Sequence, residues 1–235
     1  MLVKDRDDID FRGRSGQVTI TKLEAQKRNP KRVSVFLDGS FALGMDAQLA
    51  MELGLRKGRT LDRGELERIT RAEEKSRAKH YSLDFLGYRA RSMWEVRDRL
   101  TRRGHAGELI DEVIDELCRE GLLDDEDFAL RWARDRMKTK PLGERLLRRE
   151  LQLKRVDDEI IDRVAAATFG DLSPEQLAAE LLRSREQRYR GLGEQKAKRR
   201  MSDFLLRRGF DRSAAWEAVD QVLREWSKDR GTFHS

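Results

Sequence analysis

The hydrophobic pattern of the chain is typical of β-strands before about residue 46 and of helices after it. Before that point, residues 17–25 and 32–37 alternate polar and apolar side chains, which is the pattern of half-buried β-strands. Asp38-Gly39 supplies the residue types of a tight hairpin turn ahead of the apolar residues 41–43. The sequence therefore predicts a small β meander over residues 17–44.

Helical patterns dominate the rest of the chain. A short helix is expected over residues 46–53, ending at Gly54, and a longer one from near Asp62. The stretches that follow are rich in Leu, Ala, Glu, Arg and Lys, which favour helix. Pro141 and Pro174 interrupt them, and Ser173 before Pro174 is typical of a capped helix start.

A repeat is visible from about residue 80 onwards. Leu100, Leu151 and Leu205 each precede a basic pair and a predicted helix break, and another apolar helix face follows about ten residues later. Each repeat has room for three helices, over 124–139, 143–153 and 157–168 in the second. The anchors of the cores are expected to be large aromatic residues, namely Trp94, Trp132, Trp216, Phe85, Phe128 and Phe204.

The predicted fold class is mainly α. Tandem three-helix, helix-turn-helix-like repeats form an elongated array after the small N-terminal β meander, and a stacked helical solenoid is the alternative arrangement. The expected divisions are a disordered tail over 1–16, a β-rich module over 17–60, a linking helix with the first repeat over 61–123, the second repeat over 124–170, the third over 171–228, and a tail over 229–235.

Composition narrows the function classes. Charged residues make up 40% of the 235 positions and aromatic residues 7%, and no apolar run is long enough for a membrane span or a signal peptide. One cysteine, Cys118, and three scattered histidines argue against disulfides and metal sites, so a reducing, cytoplasmic setting is the default. The chain shows no catalytic set, so we expect no enzyme activity, no cofactor and no metal.

Two motifs with an apparent chemical meaning have simpler interpretations. Residues 191–196 contain two glycines and a lysine but lack the rest of a phosphate loop, which favours a turn between helices. The acidic run from Asp124 to Asp127 lacks the spacing of a calcium loop, and it is typical of a helix start.

Charge alternates along the repeats. Residues 89–103, 131–155 and 183–208 carry net charges of +4, +7 and +7, whereas residues 105–127 and 157–171 carry −9 and −4. Arginine-rich helices are ordinarily just solvated faces, but three basic blocks in step with a structural repeat favour a binding surface. Such a surface suits DNA phosphates or an acidic protein. Aromatic residues among the basic ones are few, Tyr189 being the best placed, so stacking on bases has little support.

Four segments in order resemble the RecX regulatory proteins. Residues 88–100 resemble that family's Arg-x-Arg-Ser-x-x-Glu-x-x-x-x-Leu motif, and residues 121–129 its Gly-Leu-Asp-Asp-x-x-Phe-Ala segment. Residues 141–151 are similar to its next helix pair, and residues 205–210 resemble the ending of its third repeat. One departure is Arg155, where the family commonly has glycine, and it puts the helix break there in doubt. Residues 170–190 match no motif.

The resemblance implies a cytoplasmic modulator of the RecA recombinase that is not an enzyme. Such proteins bind the helical groove of the RecA–DNA filament and usually suppress ATPase, strand-exchange and coprotease activities. We expect a monomer, with no membrane contact, that binds RecA filaments and both single- and double-stranded DNA regardless of sequence. A helix-turn-helix transcription factor and a helical protein-binding scaffold are the alternatives.

The candidate binding residues are the cations of the three basic blocks that follow the repeat most closely. They are Arg97, Arg102 and Arg103 in the first block, Arg145, Arg148, Arg149, Lys154 and Arg155 in the second, and Lys198, Arg199, Arg200, Arg207 and Arg208 in the third.

Overall fold

The computed structural model describes residues 16–27 and 29–231, with side chains up to Ser227. The expected N-terminal tail, apart from Gly16, and residues 232–235 lie outside these ranges. The strands are β1 (Gln17–Gln26), β2 (Asn29–Leu37), β3 (Ser40–Asp46) and β4 (Thr60–Asp62). The helices are α1 (Ala47–Glu52), α2 (Arg63–Tyr88), α3 (Met93–Thr101), α4 (Gly107–Arg119), α5 (Asp125–Thr139), α6 (Glu144–Leu153), α7 (Asp158–Phe169), α8 (Pro174–Arg183), α9 (Glu194–Arg207) and α10 (Arg212–Gly231).

These elements are divided between two compact units. The first contains the strands, α1, α2 and residues 100–115; the second contains residues 88–99 and everything from Glu116 onwards. The predicted fold class is confirmed in its elements, a β meander followed by three successive groups of three helices. Within the described residues, no helix has both the length and the apolar composition needed to cross a bilayer.

The first unit is built on a four-stranded antiparallel sheet in the order β3-β2-β1-β4. The predicted hairpin turn is present, since Asp38 and Gly39 both adopt positive φ, 47° and 83°, between the paired residues Leu37 and Ser40. The inner side chains of the sheet, such as Ile20 and Met45, are fully buried in one core with residues of α1 and α2. The sequence pattern missed β4, because three residues are too few to show an alternation.

Several predicted helix boundaries are confirmed. Asp124 caps α5 by accepting hydrogen bonds from the backbone N–H groups of Glu126 and Asp127, 2.8 and 3.1 Å long. Ser173 caps α8 through the N–H of Gln176, with Pro174 at the first helical position. The three helices expected in the second repeat each lie within one residue of their predicted ends. The last helix continues to Gly231, past residue 229, where a tail was expected.

The repeat leucines explain why each middle helix ends where it does. Leu100, Leu151 and Leu205 are completely buried. The carbonyl of each accepts hydrogen bonds from the N–H groups three and five residues later, at 2.9–3.3 Å. These bonds satisfy the carbonyls that a helix end leaves unpaired, and they require the residue four positions after the leucine to adopt a left-handed conformation.

That left-handed position is Gly104, Arg155 and Gly209 in the three repeats, with φ of 83°, 56° and 87°. Glycine adopts it without strain, whereas a side chain there costs roughly 1–2 kcal/mol. The doubtful helix break in the second repeat is therefore present. Arg155 turns the chain as a glycine does, and the hydrogen bond from the N–H of Val156 to the carbonyl of Leu151 is kept at 3.2 Å.

The second and third helix groups are joined by close backbone contact. The N–H of Gly143, at the start of α6, donates a hydrogen bond of 2.8 Å to the carbonyl of Arg208, just after α9. A Cβ built on Gly143 would lie 2.6 Å from the backbone of Gly209, and one built on Gly209 would clash with Leu146. Glycine is therefore required on both sides for the two groups to approach.

The Arg-x-Arg-Ser-x-x-Glu motif holds the start of α3 against the second helix group. Glu95 accepts hydrogen bonds from Arg89 and Lys154, at 2.8 and 2.7 Å. The hydroxyl of Ser92 donates to the carbonyl of Lys154, and the N–H of Met93 donates to the buried carboxylate of Asp125 at 2.7 Å. Burial by itself raises the pKa of Glu95, but these cations and the Ser92 N–H lower it to about 2.

The expected aromatic anchors are correct only in part. Phe128 is buried, and Trp132 packs against the same core while its indole N–H donates to Glu150. Trp94 and Trp216 are 39% and 57% exposed, so for these two the expectation is wrong. Buried aliphatic side chains make up most of the cores, and in the third group the buried aromatic residues are Tyr189, Phe210 and Trp226 instead.

We predict that Arg155→Gly stabilises the protein. The substitution removes the left-handed strain at φ 56°, and after the entropy that glycine adds to the unfolded chain a gain of about 0.5–1 kcal/mol remains. Urea unfolding followed by circular dichroism measures the change. Arg155→Ala is the control: it loses the same charge but keeps a Cβ, and an equal gain there would contradict the prediction.

Gly209→Ala is expected to have the opposite effect. It combines a positive φ with a steric clash against Leu146, so we expect a loss of about 2–4 kcal/mol in unfolding free energy. Gly191→Ala serves as the control, because a Cβ there meets no atom within 4 Å. A Gly209→Ala protein as stable as this control would show that the contact between the helix groups is loose.

Glu95→Gln should destabilise the protein most at neutral pH. Because the folded-state pKa of Glu95, about 2, lies below its ordinary 4.5, ionised Glu95 stabilises the fold fully above pH 4.5. This stabilisation, about 2–3 kcal/mol, disappears as the pH falls towards 2. Urea unfolding at several pH values should show the two proteins converging in acid. A difference that stays constant from pH 7 to pH 3 would contradict the prediction, and Asp171→Asn, at an exposed carboxylate, controls for the general loss of charge.

Candidate nucleic-acid interface

Helix α6 presents arginines on the side opposite its core. Leu147 and Leu151 are buried, whereas Arg145 and Arg149, one turn apart, are exposed, as is Arg155 beyond the helix end. Within the described residues, no carboxylate pairs with these three arginines. Their charges are therefore available to a partner.

Two other predicted residues of the second block are engaged within the protein. Arg148 pairs with Glu144 and Asp162, at 2.7 and 2.5 Å, and the hydrogen bonds to these carboxylates raise its pKa. Lys154 is bound to Glu95 and lies 5.3 Å from the ring centre of Trp132. Both cations contribute to internal structure, which a charge count along the sequence could not reveal.

Helix α9 repeats the arrangement of α6. Ala197, Met201 and Leu205 face the core of the third group at four-residue spacing. The opposite surface carries the predicted residues of the third block, of which Arg199, Arg200 and Arg207 are exposed and Lys198 is half-buried.

Arg208 is where the second and third blocks meet. Its backbone carbonyl accepts the N–H of Gly143, and its guanidinium donates a hydrogen bond of 3.4 Å to the carbonyl of Lys140. The end of α9 and the start of α6 are thus neighbours. The structure brings two of the three predicted blocks together at this point.

The residues of the first block fall in different units. Arg97 belongs to the second unit, whereas Arg102 and Arg103 belong to the first, and all three are exposed. The guanidinium of Arg103 stacks on Tyr81 of α2, 3.5 Å from the ring centre. This stacking fixes the orientation of Arg103 at the end of α3.

Two features of the third group were missed by the sequence reasoning. Arg185 and Arg208 both lie against the ring of Phe204, with guanidinium carbons 4.7 and 5.6 Å from its centre. Tyr189, the residue considered for base stacking, is only 6% exposed and belongs to the core. Arg185 lies in the third basic block, but Arg208 is 23 positions further along the chain. No sequence periodicity predicts that two residues at this spacing lie close together.

The described part of the chain contains no group of three or more histidine, cysteine, aspartate or glutamate side chains suited to hold a metal ion. Cys118 is half-buried on α4.

Family models match most of the chain in the order of its structural elements. The RecX N-terminal domain matches residues 18–62, and the first, second and third three-helix domains of RecX match residues 78–117, 124–164 and 174–219. The first of these ranges coincides with the β-sheet, including β4. The other three coincide with the three helix groups.

Curated relatives and a solved structure agree with this assignment. The chain is 33% identical to the regulatory protein RecX of Bacillus licheniformis over 208 residues, which cover 88% of this chain and 76% of the relative. It is 39% identical to that of Mycolicibacterium smegmatis over 167 residues, covering 68% and 86%. A crystal structure of a regulatory protein RecX superposes with a TM-score of 0.69 at 26% identity, covering 87% of this chain and 99% of that one. The chain therefore belongs to the RecX family of regulatory proteins.

Proposed function

We propose that this protein binds RecA–DNA filaments in their helical groove and modulates the recombinase, chiefly by inhibiting its ATPase, strand-exchange and coprotease activities. It acts in the cytoplasm as a monomer and has no catalysis of its own. Family membership supports the choice of partner, as the sequence motifs implied. The names of the relatives, regulatory proteins, accord with this role.

The observation that carries the proposal is the pair of arginine-rich surfaces on α6 and α9. They project from neighbouring helix groups that meet where Gly143 contacts Arg208. Exposed guanidiniums without internal partners neutralise DNA phosphates and release bound counterions. The same cations attract acidic patches of a protein, which speeds encounter with a filament that presents both.

The direct test is RecA ATPase activity on single-stranded DNA with this protein titrated in. We expect turnover to fall at substoichiometric or stoichiometric ratios of protein to RecA. ATPase activity that is unchanged at a tenfold excess would refute the proposal.

A charge-reversal variant tests the role of α6. We expect Arg145→Glu, Arg149→Glu and Arg155→Glu together to weaken inhibition at least tenfold, because repulsion replaces attraction to phosphates. These residues are preferred to Arg148, whose charge is already paired. The readout is the concentration of protein that halves RecA ATPase activity.

The matched control reverses three cations of the β-sheet unit, Lys31, Arg56 and Lys57, which are exposed and change the net charge equally. Inhibition by this control should resemble that of the wild type. Equal loss in both variants would indicate a general charge effect and would remove α6 from the proposal.

Gel shifts on single- and double-stranded DNA distinguish the alternatives. Binding that is independent of sequence and steeply sensitive to salt accords with the proposal. Tight binding to one duplex sequence would favour a helix-turn-helix transcription factor. No binding to any DNA, together with no effect on RecA, would favour a protein-binding scaffold.

A further inference from the structure

A compact group of cations surrounds Phe204 in the third helix group. The guanidiniums of Arg185, from the turn after α8, and of Arg208, from the end of α9, both lie against its ring at 4.7 and 5.6 Å from the ring centre. Stacking on an aromatic ring removes water from one side of each guanidinium. The N–H edges remain to bind an anion.

This group has no internal counter-ion of its own. Within the described residues, no carboxylate pairs with Arg185 or Arg208. Glu150 is near, but Arg136 and the indole of Trp132 occupy its two oxygens. Burial, followed by the charges of Arg185 and Arg136, lowers the pKa of Arg208. Like charges held this close are more stable when an anion lies between them.

The backbone holds Arg208 in place. Its N–H bonds to the carbonyls of Phe204 and Leu205, at 3.0 and 2.9 Å, and its carbonyl accepts the N–H of Gly143 at 2.8 Å. Its guanidinium also bonds to the carbonyl of Lys140. The contacts of the guanidinium with the Lys140 carbonyl and the Phe204 ring restrain it, which reduces the conformational entropy lost on binding a ligand.

We propose that Arg185 and Arg208, beside Phe204, form a binding site for a backbone phosphate of a nucleic acid strand. Guanidinium forks match phosphate oxygens, and a tetrahedral phosphate accepts hydrogen bonds from several directions, whereas one fork already satisfies a planar carboxylate. Contacts to backbone phosphates carry no sequence information, so the site binds without regard to sequence. The identification of nucleic acid as the ligand rests on the proposed function, whereas the arrangement of the two arginines does not.

The test is fluorescence anisotropy of a labelled oligo-dT strand with the full-length protein over a range of salt concentrations. For Arg185→Gln with Arg208→Gln, we expect affinity to fall about tenfold or more. The slope of log affinity against log salt should decrease by about 0.7, since one phosphate contact on a single strand accounts for roughly that much. Circular dichroism melting verifies that the variant is folded.

The matched control is Arg212→Gln with Arg224→Gln, which removes two exposed charges from α10 of the same helix group. The site is overturned if the protein with Arg185→Gln and Arg208→Gln binds the strand as well as this control does. It is also overturned if the wild-type protein does not bind the strand. Arg185→Lys with Arg208→Lys keeps the charges but loses the forks, so we expect it to retain the salt slope and lose part of the affinity.

Competition identifies the source of the anion. Displacement of the strand from the wild type by unlabelled oligo-dT, with polyglutamate much weaker, supports a nucleic acid site. Polyglutamate that competes equally well would assign the site to an acidic protein surface and overturn the proposal. Titration calorimetry with inorganic pyrophosphate measures whether a free phosphate compound binds the protein. Pyrophosphate binding that is tighter than oligo-dT binding would assign the site to a small molecule and overturn the proposal.

The RecA ATPase assay separates this proposal from the wider function. If the double glutamine variant loses DNA affinity while the wild type leaves RecA ATPase unchanged, the phosphate site stands and the regulatory proposal fails. If the wild type inhibits RecA and the variant binds DNA normally, the regulatory proposal stands and the site fails.

Discussion

The turn that ends each middle helix is the constraint on which the helix groups depend. A buried leucine, at position 100, 151 or 205, places its carbonyl where two later N–H groups reach it, and the chain then reverses through a residue of positive φ. This turn directs the third helix of each group back onto the core. The basic residues between the leucine and the turn lie at the negative end of the helix, where cations are favoured. In the first and third repeats the fold itself therefore stabilises cations at positions proposed to bind the partner.

At Arg155, the backbone conformation favours glycine, whereas binding of a partner favours a positive charge. Glycine suits its backbone conformation, as it does at Gly104 and Gly209. Arginine instead adds a charge at the end of α6, at the cost of left-handed strain. This exchange is understandable if the charge has a use outside the protein, because no carboxylate among the described residues pairs with it.

Internal ion pairs decide which cations remain available. Lys154 and Arg148 look equivalent to their neighbours along the chain, yet they bind Glu95 and Asp162. Arg208 differs from both, because its surroundings are other cations and a carboxylate that Arg136 already occupies. Glu95, Glu150 and Asp162 thus have a structural purpose, since they neutralise some of the basic residues and leave others to define the candidate interface.

The sequence by itself determined the repeat, the helix starts and the sign of the charge on each helix. Periodicity, capping residues such as Asp124 and Ser173, and the buried leucines act over a few residues, so they can be recognised locally. Tertiary structure decided the rest: the pairing of β4 with β1, the exposure of Trp216, the burial of Tyr189, and the convergence of Arg185 with Arg208 on Phe204. These depend on which distant segments meet, and such contacts leave no local pattern because their partners are chosen by packing in three dimensions.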